Sequence, residues 1–305
     1  MSELFVSVSP HIRSPRTTQT IMRDVLIALC PALIASCVLY GIRALLVTVV
    51  CVASCVLLEG LYQAGMKQPI TIQDGSAAVT GMLLAMNLPV TIPLWQAIFG
   101  CLVAILVVKQ LFGGLGKNFA NPAIVGRVVL FLAFTGSMTN WVYPDAVSSA
   151  TPLALLSAGA TDQLPTLWNI LWGWHGGCLG ETCSIALLLG GGYLIVRKVI
   201  TWHIPVAFVG TVFVLTALLG QHPVYQVLSG GLLLGALFMA TDYVTSPPTP
   251  WGKVVFGVGC GLITVLIRIW GSYPEGVSFA ILLMNILNPY ITSWTRNKPI
   301  GGVSP

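Results

Sequence analysis

The sequence predicts an all-α polytopic membrane protein of about ten transmembrane helices in two inverted five-helix repeats. Three observations lead there. Of 305 residues, 56% are apolar or aromatic and only 8% are Asp, Glu, Lys or Arg, against about 25% charged in an ordinary soluble domain. Mean hydropathy is +0.88, and the apolar residues form long runs instead of alternating, which is the helical and not the barrel pattern. Short runs interrupted by Gly and Pro also recur at matching places in the two halves of the chain. Together these exclude a soluble enzyme, a disordered chain and a nucleic-acid binder, and no nucleic-acid partner is expected. The net charge of +5 is then a topology signal.

The apolar runs fall at 21–40, 43–62, 75–88, 92–109, 121–135, 179–196, 203–220, 226–241, 252–270 and 276–293. A bilayer core of about 30 Å needs about 20 helical residues, so several runs are short. No apolar core precedes Ile21, so no cleavable signal peptide is expected. With a cytoplasmic N-terminus and alternating spans, eleven of the fourteen basic residues fall inside: Arg13, Arg16, Arg23, Lys67, Lys109, Lys117, Arg197, Lys198, Lys253, Arg296 and Lys298. Arg127 lies within the fifth span, and only Arg43 and Arg268 fall outside. That bias places both termini in the cytoplasm. The expected organisation is a cytoplasmic segment 1–20, a first repeat 21–135, an extracytoplasmic loop 136–178, a second repeat 179–293 and a cytoplasmic tail 294–305. The stretch Gly136–Gly180 has no Lys or Arg at all. Its Trp168, Trp172 and Trp174 read as an amphipathic stretch lying at the interface.

The repeat is visible in the residues. Gly81-Met-Leu-Leu-Ala-Met-Asn87 is followed by Val90-Thr91-Ile92-Pro93 and Trp95. Gly235-Ala-Leu-Phe-Met-Ala-Thr241 is followed by Val244-Thr245-Ser246-Pro247 and Trp251. Asn121-Pro122 and Asn288-Pro289 correspond more weakly. An odd number of spans per half reverses the second half relative to the first. Paired short, Gly/Pro-interrupted segments in an inverted repeat point to a site near the midplane. The bland alternative is a pair of short spans that thin the bilayer.

Ionisable residues at membrane depth are the candidates for chemistry. Asp24, Asp74 and Asp242 sit near span ends, with Glu59 deeper; Asp24 and Asp242 are the ion-path candidates, and an interfacial capping role is the competing reading. Asn118 and Asn121 are three apart and are expected to share one face where the fifth helix begins. Two amides there can bond a planar ring of alternating donors and acceptors; helix capping by Asn121 with Pro122 at the first helical position is compatible with this. Gly113-Gly114-Leu115-Gly116-Lys117 lacks P-loop spacing. The histidines His11, His175, His203 and His222 form no pair, and no catalytic triad is expected. Six of the eight cysteines lie in apolar runs and read as small hydrophobes; Cys178 and Cys183 read equally as an outer disulfide or as an apolar pair. In Asp145-Ala-Val-Ser148-Ser149-Ala150-Thr151-Pro152, composition alone gives a polar loop in which Thr151 starts a helix at Pro152.

That last segment resembles the flavinylation motif Asp-x-x-Ser-(Gly/Ser)-Ala-Thr of the B subunit of sodium-translocating NADH:quinone oxidoreductase and of the D subunit of the Rnf complex. Ser9-Pro10-His11, Asp74-Gly75-Ser76-Ala77 through Leu88-Pro89, Gly116-Lys117-Asn118 through Ala123, and Ala240 through Pro247 look like further segments of that family, in the family's order over nearly the whole chain. The first span begins near Ile21, without the longer extension typical of the B subunit, so the chain resembles the Rnf D subunit. Ser149 stands where the motif usually has Gly, and Leu153-Ala154-Leu155 lacks a downstream Thr often found there. The resemblance implies FMN esterified to Thr151 by a separate flavin transferase, with Ser148, Ser149 and Ala150 beside it. It implies a second, non-covalent riboflavin contacted by Asn118 and Asn121. It also implies a membrane flavoprotein subunit of an ion-translocating ferredoxin:NAD+ oxidoreductase, moving electrons coupled to Na+ or H+. Its partners would be the other membrane and peripheral subunits, including a second flavin-bearing one, and the chain would not be catalytic alone. A urea-channel-like passive channel or secondary transporter, or a structural scaffold, would suit the same spans without needing the Thr151 motif.

Overall fold

The computed structural model describes residues 16–143, 150–271 and 275–296. Ten helical elements form the bundle. The first five are α1 (Thr18–Tyr40), α2 (Ile42–Gly65), α3 (Ser76–Met86), α4 (Leu94–Leu102, continued as π-helix over Val103–Gln110) and α5 (Pro122–Ala133). The second five are α6 (Ser184–Val196), α7 (His203–Leu218), α8 (Leu232–Leu234, continued as π-helix over Gly235–Met239), α9 (Pro250–Trp270) and α10 (Val277–Trp294). Each falls on one of the ten predicted runs. Only α1, α2, α9 and α10 reach 18 residues of spanning length and hydropathy. The 11-residue α3 covers about 16 Å, half of a bilayer core. Val38, Leu61, Val196 and Leu218 are exposed on the outside of the bundle, as lipid-facing side chains are. The chain is a multi-pass helical membrane protein.

The two halves repeat one packing scheme. In each, the second helix packs on the fourth, the fourth on the fifth, the first on the third and the third on the fifth. The halves meet where α1 packs on α6 and α5 on α10. Both seams join corresponding helices, as an inverted repeat requires.

Alternation also sorts the connections onto two ends. At one end, Arg197 pairs with Asp24, Arg16 bonds the Lys198 carbonyl, Tyr243 bonds the Val199 carbonyl and Lys253 bonds Thr201. At the other, Arg43 bonds the Val90 and Ile92 carbonyls, Tyr225 bonds the Pro165 carbonyl and Ser184 bonds the Leu228 carbonyl. Thr151 belongs to the second end.

Two predicted spans are shorter than their apolar runs. The run 226–241 is split, because Gly230 and Gly231 take positive φ (60° and 24°) and end the helix Pro223–Leu228 before α8 begins. The run 179–196 becomes helical only at Ser184. Before that the chain crosses the end of α3, where the Leu179 and Gly180 amides donate to the Leu88 and Met86 carbonyls at 3.0 and 2.7 Å. Those carbonyls have no acceptor role left inside α3, so this crossing satisfies them within the protein.

Small residues set the seams. A Cβ on Gly190 would lie 2.1 Å from the Ala28 carbonyl oxygen of α1, whereas one on Gly192 would meet nothing within 4 Å. Gly190→Val is therefore expected to force α1 from α6 and lower the melting temperature in detergent, at a cost of about 1–3 kcal/mol. Gly192→Val is expected to leave the melting temperature unchanged. Equal behaviour of the two variants in a thermal unfolding assay would refute this seam.

Candidate functional site

Thr151 is the N-cap of the short helix Pro152–Ser157, with Pro152 at its first position. Its Oγ1 accepts from the Ala154 amide at 3.2 Å, as the Thr-Pro reading predicts. The residue is buried, at 4% exposure, and Ala150 before it is exposed. Ser148 and Ser149 lie outside the described residues. From the helix that Thr151 caps, Leu153, Leu156 and Ser157 join Gln221, Gln226, Arg268, Ile269 and Gly271 around a polar cavity of about 620 Å³, part of it open to solvent; Thr151 itself is not in its lining.

A second cavity opens at the opposite end, between the two halves, and encloses about 780 Å³ of space, again partly open. Its walls are mainly apolar, from α1, α3, α6 and the π-helical part of α8, with Leu83, Leu194, Leu237 and Phe238 among them. Its polar lining is Ser76, Thr80, Lys109, Asn118, Asn121, Thr241 and Asp242. Asn118 and Asn121 thus reach one site, but not from one helical face. Pro122 fixes the start of α5, so Asn121 is its N-cap and Asn118 lies in the preceding turn. The Asn121 Oδ1 accepts from the Ala123 and Ile124 amides, and its Nδ2 donates to the Met239 carbonyl of the other half at 3.3 Å. Asn118 Nδ2 is bound to the Ala120 carbonyl. Asn121 therefore caps a helix, bridges the halves and lines the cavity at once.

The π-helical turns border this cavity. Wide-turn bonds run from the Leu111 amide to the Leu106 carbonyl and from the Ala240 amide to the Gly235 carbonyl, at 2.9 and 2.7 Å, a geometry that often marks functional sites. The first π-segment delivers Lys109 to the cavity wall. Its Nζ donates to Glu59 Oε2 at 2.8 Å and to Ser76 Oγ at 2.6 Å, with both charged side chains at least 98% buried. Glu59 Oε1 accepts from Gln110 and Gln63, and Gln63 continues to Thr71 at the surface. Ser76 Oγ donates to Asp74. The pair is thus neutral, and the carboxylate holds donors on both oxygens.

The two ion-path candidates differ. Asp24 is paired with the half-exposed Arg197 at 3.2 Å and accepts from the Tyr193 hydroxyl, so it ties α1 to the end of α6. Asp242 lines the cavity, where it accepts from Thr245 Oγ1 at 3.1 Å. Burial raises its pKa, and hydrogen bonds from Thr245 and the Val244 and Tyr243 amides partly offset that rise.

A further polar layer lies at the Thr151 end. Arg127 of α5 donates to Asn87 Oδ1 at 2.9 Å and Ser278 Oγ at 3.0 Å, and pairs with Glu275 and with Glu181 at 3.5 Å. Sequence reasoning places Arg127 inside a span and assigns it no role. A charge there is the signal for this network, since it demands buried counter-ions; its partners Glu181 and Glu275 come from distant loops and could not be found by spacing. Cys178 and Cys183 remain separate thiols, bonding the Asn87 and Leu171 carbonyls. Burial lowers the pKa of His175, which bonds the adjacent Gly176 carbonyl.

Residues 5–301 match the model of the NQR2, RnfD, RnfE family. The chain belongs to this family. It is 47% identical over 303 residues to the D subunit of a Na(+)-translocating ferredoxin:NAD(+) oxidoreductase complex of Acetobacterium woodii, covering 98% of this chain and 95% of that protein. It is 41% identical over 316 residues to the D subunit of a proton-translocating ferredoxin:NAD(+) oxidoreductase complex of Clostridium ljungdahlii, covering 97% and 96%. It is 36% identical over 347 residues to the D subunit of an ion-translocating oxidoreductase complex of Vibrio cholerae, covering 97% and 99%. All three relatives are D subunits.

Removing one partner of the buried Lys109–Glu59 pair strands the other. Lys109→Met is expected to cost about 3–5 kcal/mol, and the compound variant with Glu59→Leu less than the single one. Thermal unfolding of both variants checks this; a single variant as stable as the parent would contradict it.

Proposed function

We propose that the chain is the flavin-carrying D-type membrane subunit of an ion-translocating oxidoreductase of the ferredoxin:NAD+ type. The full-length match to a relative whose name states that reaction, covering 98% of the chain, carries the reading. The few charges and the closely packed small residues suit assembly with other membrane subunits. Turnover would then belong to the assembled complex together with its peripheral and second flavin-bearing partners.

Thr151 Oγ1 is the acceptor for FMN, attached by a flavin transferase. In support, Thr151 stands at the start of the short helix Pro152–Ser157, which forms one wall of the polar cavity. The second cavity is assigned to non-covalent riboflavin. Apolar walls suit the faces of a three-ring system, while Asn118, Asn121, Thr241 and Lys109 supply polar groups for its edges. Bound flavin supplies one- and two-electron chemistry. The chain's own residues exclude water from the ring faces, orient its edges and hold a cation at Lys109 beside it. Of the two acidic candidates, Asp242 is assigned to the ion path, because it faces the cavity while Asp24 is held by Arg197. The basic residues put the Asp24 end in the cytoplasm and the Thr151 end outside.

Mass spectrometry of the Thr151 peptide, from chain co-expressed with the transferase, is expected to show FMN joined with loss of water. In-gel flavin fluorescence is expected to vanish in Thr151→Ala; fluorescence that survives this change overturns the assignment. Asn118→Leu and Asn121→Ala are expected to lose the heat-extractable flavin while keeping the covalent one. Unchanged extractable flavin in both would sink the second site.

A further inference from the structure

Charge neutralisation does not account for all the hydrogen bonding of the Lys109–Glu59 pair. An ammonium has three N–H groups. Lys109 uses one on Glu59 Oε2 at 2.8 Å and one on Ser76 Oγ at 2.6 Å. One is left beside the cavity that Lys109 and Ser76 both line. Ser76 Oγ in turn donates to Asp74 Oδ1 at 2.6 Å. Lys109 and Ser76 are buried. Asp74 ends the turn Ile72–Asp74 and is partly exposed, with Thr71 and Gln73 exposed around it. Three groups that can each gain and lose a proton thus run in one line from the cavity wall to the surface.

The other branch from Lys109 does not conduct. Glu59 Oε1 accepts from the Gln110 and Gln63 amides, and Gln63 leads on to Thr71. A side-chain amide donates hydrogen bonds but keeps its protons, whereas a hydroxyl rotates and both accepts and donates. The amides fix the carboxylate and end that branch, and the Ser76 hydroxyl leads out.

We propose that Asp74, Ser76 and Lys109 form a proton relay that supplies the redox group of the cavity from the aqueous phase at that end of the bundle. This rests on the assignment of flavin to the cavity. A ring system seated there fills the partly open mouth, so the wall is the remaining route for a proton. For each electron that reaches the cavity from the reduced ferredoxin donor of the complex, Lys109 gives up one proton through its remaining N–H. The Lys109 amine then takes the Ser76 hydroxyl proton as Ser76 takes the Asp74 carboxyl proton, which Asp74 has drawn from water. One electron and one proton have then entered, and the three side chains are as they began. Glu59 drives the refilling, because a neutral amine would leave its buried carboxylate unpaired. The observed bonds, Lys109 to Ser76 and Ser76 to Asp74, are the arrangement left behind when a proton has moved inward.

Asp74 also accepts from the Ser76 amide at 2.8 Å, as a helix cap does. Asn caps equally well but cannot carry the proton, so Asp74→Asn separates the two roles. The test uses the full chain in a Thr151→Ala background, so that only the heat-extractable flavin is bound, and compares it with added Asp74→Asn, Ser76→Ala and Ser76→Thr. Single-turnover reduction by dithionite is followed by flavin absorbance, and its proton-coupled phase is identified by slowing in heavy water. That phase is expected to fall about a hundredfold in Asp74→Asn and Ser76→Ala, and to recover in Ser76→Thr, which restores the hydroxyl. Azide, a small weak acid able to deliver a proton in place of residue 74, is expected to restore the rate in Asp74→Asn. Flavin content and melting temperature are expected to match the background chain in Asp74→Asn. Two results overturn the relay: an unchanged rate in Asp74→Asn at full flavin content, or slow phases that neither azide nor Ser76→Thr relieves, as a purely structural role would give. Heat extraction is read separately: a background chain that yields no flavin overturns the assignment of the cavity, and the relay falls with it.

Discussion

A backbone that stops halfway across a bilayer leaves amides and carbonyls where no water can reach them, and each unsatisfied group costs several kcal/mol. The rest of this structure answers that constraint. α3 and α8 both end inside the bundle. The end of α3 is closed by the crossing segment at Leu179 and Gly180. Near the end of α8, the Met239 carbonyl takes the Asn121 amide, whose own oxygen closes the start of α5. One half of the chain thus completes the hydrogen bonding of the other. The seams are closed by the same logic, with glycine at Gly190 letting two backbones touch.

Charge follows the same rule of internal completion. The Lys109–Glu59 pair lies by the cavity where α5 begins, the Arg127 network lies further along α5, and each is held by carboxylates, amides and hydroxyls. Both are built from residues far apart in sequence. They form two polar layers in a bundle whose core is otherwise apolar, with Leu84, Leu234 and Met86 among its fully buried side chains. One layer borders the cavity between the halves, and the other borders the loop that holds Thr151.

Much of the architecture was legible in the sequence, because spanning helices depend on local composition. Ten apolar runs became ten helical elements, and Pro122 and Pro152 located two helix starts to the residue. Reading failed where geometry overrode composition. The apolar run through Leu228 and Leu232 gave no hint that Gly230 and Gly231 would break it. The amides at Asn118 and Asn121 converge on one cavity, but through a turn and a cap, not through a shared helix face. The partners of Arg127 were invisible, since Glu181 and Glu275 meet it only after 54 and 148 residues of chain have folded. The pair Lys109–Glu59 was hidden in another way. Lys109 sits at a span end and served the topology count, where a charge is ordinarily solvated.

The π-helical part of α4 has a further implication for how the protein tolerates change. Each residue added to or removed from a helix turns everything beyond it by about 100°. Val103–Gln110 absorbs its extra residue as a widened turn, and that offset aims Lys109 inward. Tightening the segment to regular α geometry would swing the ammonium away from Glu59 and towards lipid. The length of this helix is therefore as much a part of the site as the identity of Lys109. Its composition can drift among apolar residues, but insertions and deletions between Leu102 and Lys109 are barred in a way that ordinary membrane spans do not share.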